Sequence, residues 1–166
     1  KTTLSMLMKY RIGFGYDVHQ LKENRKLVLG GIELNHPKGL LGHSDADVLI
    51  HAICDALLGA ANLRDIGNHF PNTDPKYKDA DSKTILEEVV RLLKMNEYYI
   101  GNIDATLALE QPKINPHIDE MKKSLAGVME IDINDISIKA TTNERMGYVG
   151  REEGVNAFAV AIIYKV

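Results

Sequence analysis

At 166 residues, 45% hydrophobic and 26% charged, the chain is long enough to bury roughly two-thirds of its unfolded surface, which excludes the disordered and fibrous classes. A net charge of −3 with no long basic run gives no electrostatic case for nucleic acid, and no apolar run approaches membrane-spanning length. The single cysteine, Cys54, excludes an intrachain disulfide and a cysteine-rich zinc site, and it suits a reducing compartment.

The opening KTTLSMLM is too short for a signal peptide. Residues 1–8 read as a remnant of expression or processing around a native start at Met8, and residues 9–166 as one domain without repeat or linker. The first predicted strand runs from about Lys9 to Gln20. Alternation puts Ile12, Phe14, Tyr16 and Val18 on one face and Gly13, Gly15, Asp17 and His19 on the other. The two glycines leave a groove, with a carboxylate and an imidazole at its end. Taken alone, the stretch reads equally well as a half-solvated strand. RKLVLGGIELN follows as a hairpin turning at Gly30-Gly31, with no fuller phosphate-binding fingerprint around it.

HSDADVLIHAICDALLGAANL is the clearest helix, with Ser44 as the expected N-cap and Asp47 completing a capping box. Leu49, Ala52, Ile53, Ala56, Leu57 and Ala60 form its apolar stripe. His51 and Asp55 lie nearly opposite, where a histidine is ordinarily a surface residue. A turn-rich loop, RDIGNHFPNTDPKYKDAD, leads to a second helix from about Ser82 to Asn96. Alternation returns from Tyr99 to Glu110, with Ile103, Ala105, Leu107 and Leu109 inward. Asn115-Pro116 predicts an N-cap and a first helical proline, opening a helix that buries Ile118, Met121, Leu125 and Val128. Strands at about 135–142 and 154–165 close the chain. The last is apolar on both faces, Val155, Ala157, Ala159, Ala161 and Ile163 against Phe158, Val160 and Ile162. One row is expected to meet the helices and the other a second subunit. The fold class is α+β, with helices packed on one face of a largely antiparallel or mixed sheet.

If the helix packs beside the first strand, Asp17, His19 and His51 can hold Zn²⁺ through three protein ligands, leaving a position open for substrate or water. Asp47 or Asp55, one helical turn from His51, could orient it, although a cap and a solvated acid are the plainer readings.

The blocks GYDVH, LLGHSDADV, DALLGAANLRDIGNHFPNTDP, NIDATL, QPKINPHI and KATTNERMGYVGR, in that order from about Lys9 to the end, resemble the 2-C-methyl-D-erythritol 2,4-cyclodiphosphate synthases. These are enzymes of the non-mevalonate route to isoprenoids. The resemblance implies a phosphorus–oxygen lyase that converts 4-diphosphocytidyl-2-C-methyl-D-erythritol 2-phosphate to the cyclic diphosphate and releases CMP. It also implies a homotrimer with active sites between subunits, and a cytoplasmic location, or a plastid-type organelle for a trimmed eukaryotic precursor.

By the same resemblance, Asp17, His19 and His51 are the zinc ligands, and Glu144 holds a second divalent cation, Mg²⁺ or Mn²⁺. His43 and Thr142 match positions that stabilise the transition state. Asp17, Val18, His19, His43 and Ser44 would also touch substrate. Asp65, Ile66 and Gly67, with Phe70, Pro71, Asn72, Thr73 and Asp74, match the segment that cups the methylerythritol phosphate. Leu109, Glu110, Gln111, Pro112, Lys113, Ile114 and Asn115 match the cytidine pocket. Thr141, Thr142, Asn143, Glu144, Tyr148 and Arg151 match further substrate contacts, Arg151 alternatively forming an intersubunit salt bridge. Asn72, Asn143 and Glu152 stand where aspartate, threonine and glycine are more usual.

Two rivals stand beside this reading. A zinc-dependent phosphohydrolase would use metal-bound hydroxide instead of an internal phosphate nucleophile. A trimeric module with structural zinc is disfavoured, because structural sites normally close with four protein ligands.

Overall fold

The computed structural model describes residues 9–71, 73 and 80–165, so the expectations for residues 1–8, Asn72 and Asp74 lie outside the described residues. Strand β1 (Lys9–Glu23) continues past its expected end at Gln20. It pairs antiparallel with β7 (Gly154–Lys165), from Lys9 opposite Lys165 to Gln20 opposite Gly154. Its far end pairs with β4 (Lys38–Leu41), a short edge strand with no signal of its own in the sequence. On the other side of β7 lies β5 (Tyr99–Ala108), antiparallel to it, and β5 pairs in parallel with β6 (Ile136–Thr141). The sheet is therefore mixed, in the order β4-β1-β7-β5-β6. Strands β2 (Leu27–Leu29) and β3 (Ile32–Leu34) form the expected separate hairpin. Gly30 and Gly31 turn it with φ of +62° and +76°, the two positive values that a two-residue hairpin turn of the primed kind requires.

Helix α1 (Val48–Ala60) lies across β1 and β7, with the short α2 (Ile66–His69) just beyond it and α3 (Ser82–Met95) against its other side. A helix covered by a sheet on one side and by another helix on the other has no wide solvent face. Along α1 only Asp55 and Gly59 are not buried, which corrects the surface placement of His51: it is 7% exposed. The groove expected over Gly13 and Gly15 is filled by this helix. A Cβ built on Gly13 would stand 1.8 Å from the Ala56 carbonyl oxygen, and one on Gly15 would stand 1.9 Å from that of Ala52. Only glycine lets the two backbones meet this closely.

The cap of α1 also differs from expectation. Asp47, not Ser44, is the N-cap, and its carboxylate accepts from the Leu49 and Ile50 N–H groups at 3.1 Å each. It further accepts from Gly30 N at 3.1 Å and Gly31 N at 2.7 Å, so one buried carboxylate ties the helix start to the hairpin turn. Ser44 accepts instead from Ala46 N within the approach to the helix. Asn115 is likewise not a cap. Residues Asn115–His117 form a 3-10 turn with the buried Ile114 in the cap position, and α4 (Ile118–Met129) starts after it. This helix buries Met121 and Leu125 fully and Ile118 and Val128 in part.

Strand β7 divides as expected: Val155, Ala157, Ala159, Ala161 and Ile163 are buried, while Phe158 and Val160 remain exposed. Opposite them on β1 stand Tyr16 and Phe14, and the next pair along is Ile162 with Ile12. Ile12 is 72% and Phe14 63% exposed, so the sheet face turned away from α1 carries a broad apolar patch. The last helix, α5 (Gly147–Gly150), is a single turn between β6 and β7.

Candidate metal centre and active site

Beyond Gly15 the helix no longer covers β1, and the next two residues on that face are Asp17 and His19. The contact between Ala52 and Gly15 fixes the register of α1, and His51, the preceding residue, reaches the same spot. Asp17 Oδ2 lies 3.0 Å from His51 Nδ1 and 3.0 Å from His19 Nε2, and the two imidazole nitrogens are 3.2 Å apart. Among the described residues these form the one cluster of three side chains able to hold a metal ion.

The remaining nitrogens show what such a cluster needs. His19 Nδ1 donates to the Leu41 carbonyl at 2.8 Å, which leaves Nε2 with a lone pair pointing at Asp17. His51 Nε2 is engaged by the Ser82 hydroxyl at 3.0 Å, so its Nδ1 faces the cluster. A carboxylate oxygen and two imidazole lone pairs converge only around a cation, whether a proton or a metal. A tetrahedral zinc with ligands at about 2.0–2.1 Å has ligand–ligand separations of roughly 3.3–3.4 Å, close to the spacing found here. The residues present fit the ion. Without it, a proton takes its place. Burial would raise the Asp17 carboxyl, but hydrogen bonds from the two histidines outweigh it and hold the group at about 2. For His19, burial lowers the pKa, yet Asp17 and the Leu41 carbonyl together raise it.

Neither carboxylate one helical turn from His51 orients it, and for Asp47 the plainer reading as a cap holds. Asp47 is consumed by the cap and the hairpin, and Asp55 accepts from Ile66 N at 2.8 Å, anchoring α2.

The metal cluster opens into a cavity of about 230 Å³. His43 and Ser44 form one wall, and Ile66, Gly67 and Phe70, presented by α2, form another. His43 Nε2 is buried there with no hydrogen-bond partner among the described residues, a polar atom that a ligand would satisfy. Gly42 and Ile85 also line the cavity, and no local signal marked either. Asp65 stands outside it as the N-cap of α2, and Pro71 and Thr73 are exposed beyond that helix.

A second pocket, about 110 Å³, lies between the residues after β5 and the end of β6. Leu109, Glu110, Pro112, Lys113, Ile114 and Asn115 line one side, with Thr141 and Thr142 on the other. The Gln111–Pro112 peptide is cis. Glu110 accepts from Asn143 N at 2.9 Å and Arg145 N at 3.4 Å, bracing the two loops against each other. Thr142 Oγ1 donates to the Glu144 carboxylate at 3.2 Å, and Glu144 itself is exposed.

Several expected contacts fall outside both pockets. Val18 points to the apolar face, 41% exposed. Tyr148 donates to Asn156 at 2.6 Å and neighbours the Tyr16 hydroxyl; that contact and burial push Tyr16 up to about 12. Arg151 pairs with Glu153 of its own chain through both nitrogens, at 3.0 and 3.1 Å. The two pockets also lie on different parts of the sheet: β7 and β5 stand between β1, which carries Asp17 and His19, and β6, whose end lines the second pocket.

A sequence model of the YgbB family matches residues 10–164. A 2-C-methyl-D-erythritol 2,4-cyclodiphosphate synthase of Cytophaga hutchinsonii is 65% identical over 158 residues, which are 95% of this chain and 99% of that protein. Among solved structures, the bifunctional IspDF of Campylobacter jejuni superposes with a TM-score of 0.93 at 36% identity. The match covers 96% of this chain and 43% of that longer one. The IspF of Plasmodium falciparum, in a complex with CDP, superposes at 0.83 with 34% identity, covering 94% of this chain and 96% of its own.

Proposed function

The chain belongs to the YgbB family, and from that membership and its site we propose that it is a cyclodiphosphate synthase of isoprenoid biosynthesis. It converts 4-diphosphocytidyl-2-C-methyl-D-erythritol 2-phosphate to 2-C-methyl-D-erythritol 2,4-cyclodiphosphate. An oxygen of the 2-phosphate attacks the β-phosphorus, the bond from that phosphorus to the bridging oxygen breaks, and CMP leaves with the electron pair. The observation that carries this reading is the convergence of Asp17, His19 and His51 in one cavity with the buried Nε2 of His43, which has no partner among the described residues.

An intramolecular phosphoryl transfer asks the protein for alignment and charge neutralisation, with no covalent help. Asp17, His19 and His51 would hold zinc, and Glu144 a magnesium or manganese ion. When bound, these ions supply Lewis-acid polarisation and neutralise phosphate charge, which a chain of net charge −3 otherwise lacks. His43 donates from Nε2 to a phosphate oxygen, and Thr142 does the same from its hydroxyl. Ile66, Gly67 and Phe70 close over the methylerythritol and exclude water. Backbone groups between Glu110 and Lys113 read the pyrimidine edge in the second pocket, and the CDP complex of the Plasmodium relative supports a cytidine diphosphate ligand as such.

Incubation with the cytidyl substrate followed by phosphorus NMR tests the assignment. The expected products are the cyclic diphosphate and CMP. A ring-opened product carrying oxygen from labelled water would make the chain a phosphohydrolase instead.

The apolar patch of Ile12, Phe14, Val160 and their neighbours supports a homotrimer in which a neighbouring chain brings its second pocket to each metal site. Leaving such side chains in water forfeits about 1.5–3 kcal/mol each relative to full burial. Sedimentation velocity should return a trimer. A monomer that keeps full activity at dilute concentration would refute the shared site.

A further inference from the structure

His51 meets the metal cluster through Nδ1, and it can do so only if the proton of the neutral ring sits on Nε2. The surroundings of Nε2 decide this. Ser82 Oγ lies 3.0 Å away and Ser44 Oγ somewhat farther, at 3.4 Å. A serine hydroxyl has one proton to give. That of Ser82 is given to Asp45 Oδ1 in a short contact. Asp45 is committed as an acceptor at both oxygens, Oδ1 taking the Asp47 N–H at 3.2 Å and Oδ2 the Ser82 N–H at 3.0 Å. With its own proton spent, Ser82 Oγ can only accept from His51, so Nε2 carries the hydrogen when Nδ1, 3.0 Å from Asp17 Oδ2, is given over to the metal. Helix capping does not explain this buried hydroxyl, because α3 is capped by Asp81, whose side chain accepts from Lys83 N.

We propose that Ser82, oriented by Asp45, is a positioning residue that fixes the Nε2–H tautomer and ring plane of His51 and so presents Nδ1 as the third metal ligand. This rests on the zinc reading of Asp17, His19 and His51. The relay joins three parts of the chain, the approach to α1, the body of α1 and the first turn of α3. Hydrogen bonding of this kind raises the basicity of a ligating imidazole, and its loss typically lowers metal affinity about 10- to 100-fold.

The test reads the zinc-loaded protein by NMR and its metal affinity, not its turnover. Proton–nitrogen NMR of the zinc-loaded wild type should find His51 protonated at Nε2, with that proton protected from solvent exchange by its bond to Ser82 Oγ. Ser82→Ala keeps the backbone N–H to Asp45 and should show an unchanged circular dichroism spectrum. Its His51 Nε2 proton should lose that protection, and its zinc Kd, measured by chelator competition, should rise about 10- to 100-fold. Ser82→Thr, which restores the hydroxyl, should recover both. Asp45→Asn gives an independent check should Ser82→Ala fail to fold, because its amide can donate to Ser82 and reverse the relay. Unchanged exchange of the Nε2 proton in the folded variants, with zinc Kd within about twofold of wild type, would overturn the proposal. A wild type that takes up no zinc would overturn the metal reading instead, so zinc uptake by the wild type tells the two failures apart.

Discussion

Replacing His51 by alanine should abolish both zinc uptake and turnover. Two ligands, Asp17 and His19, remain on β1, and a two-ligand site does not retain zinc against the usual three or four. Loss of the several kcal/mol that a Lewis acid supplies corresponds to a fall in kcat of about a thousandfold or more. The side chain is nearly buried, so the variant should also lose stability, on the order of 1–3 kcal/mol, from the vacated volume and the stranded Ser82 hydroxyl. Zinc content by mass spectrometry, steady-state rates and a urea titration separate the effects. A folded variant with one zinc per chain and wild-type turnover would remove His51 from the site.

Gly15→Ala is expected to damage the protein more than any surface change. The new methyl would stand 1.9 Å from the Ala52 carbonyl oxygen, which belongs to helix backbone and cannot rotate away. Either α1 lifts from the sheet or the variant fails to fold. Overpacking of this kind sits at or beyond the upper end of the usual range, about 3 kcal/mol. Lifting α1 also withdraws His51 from Asp17, so zinc affinity should fall together with stability. Gly127→Ala is the matched control: it lies in α4 with nothing near its added methyl and should be neutral or stabilise by up to about 1 kcal/mol. Equal urea midpoints for the two variants would show that the contact between β1 and α1 is not as tight as described.

Both outcomes depend on a feature that local periodicity misreads. Alternation and helical spacing report which residues share a face. They were sufficient for the Gly30-Gly31 hairpin, for α3, for the inward row of β5 and for the two apolar rows of β7. They also placed Asp17 and His19 side by side, since two residues on one strand need no partner to share a face. A three-residue ligand set including His51 was thus legible as a set of residue types, and the family resemblance joined its members.

Burial from two sides leaves no such trace. Because α1 is covered by the sheet and by α3, a side chain opposite its apolar stripe is as enclosed as one within it, and His51 passes for a surface residue. The choice between Ser44 and Asp47 as cap depended on the hairpin N–H groups that only Asp47 reaches. The relay through Asp45 and Ser82 spans 37 positions in sequence, and the separation of the two pockets follows from strand order, with β7 and β5 between β1 and β6. The sequence by itself therefore settled which faces exist and which chemistry they carry, because those follow from neighbours along the chain. Which faces meet, and which donor satisfies which acceptor, was decided by tertiary packing, because hydrogen bonds and close contacts between distant segments have no period to read.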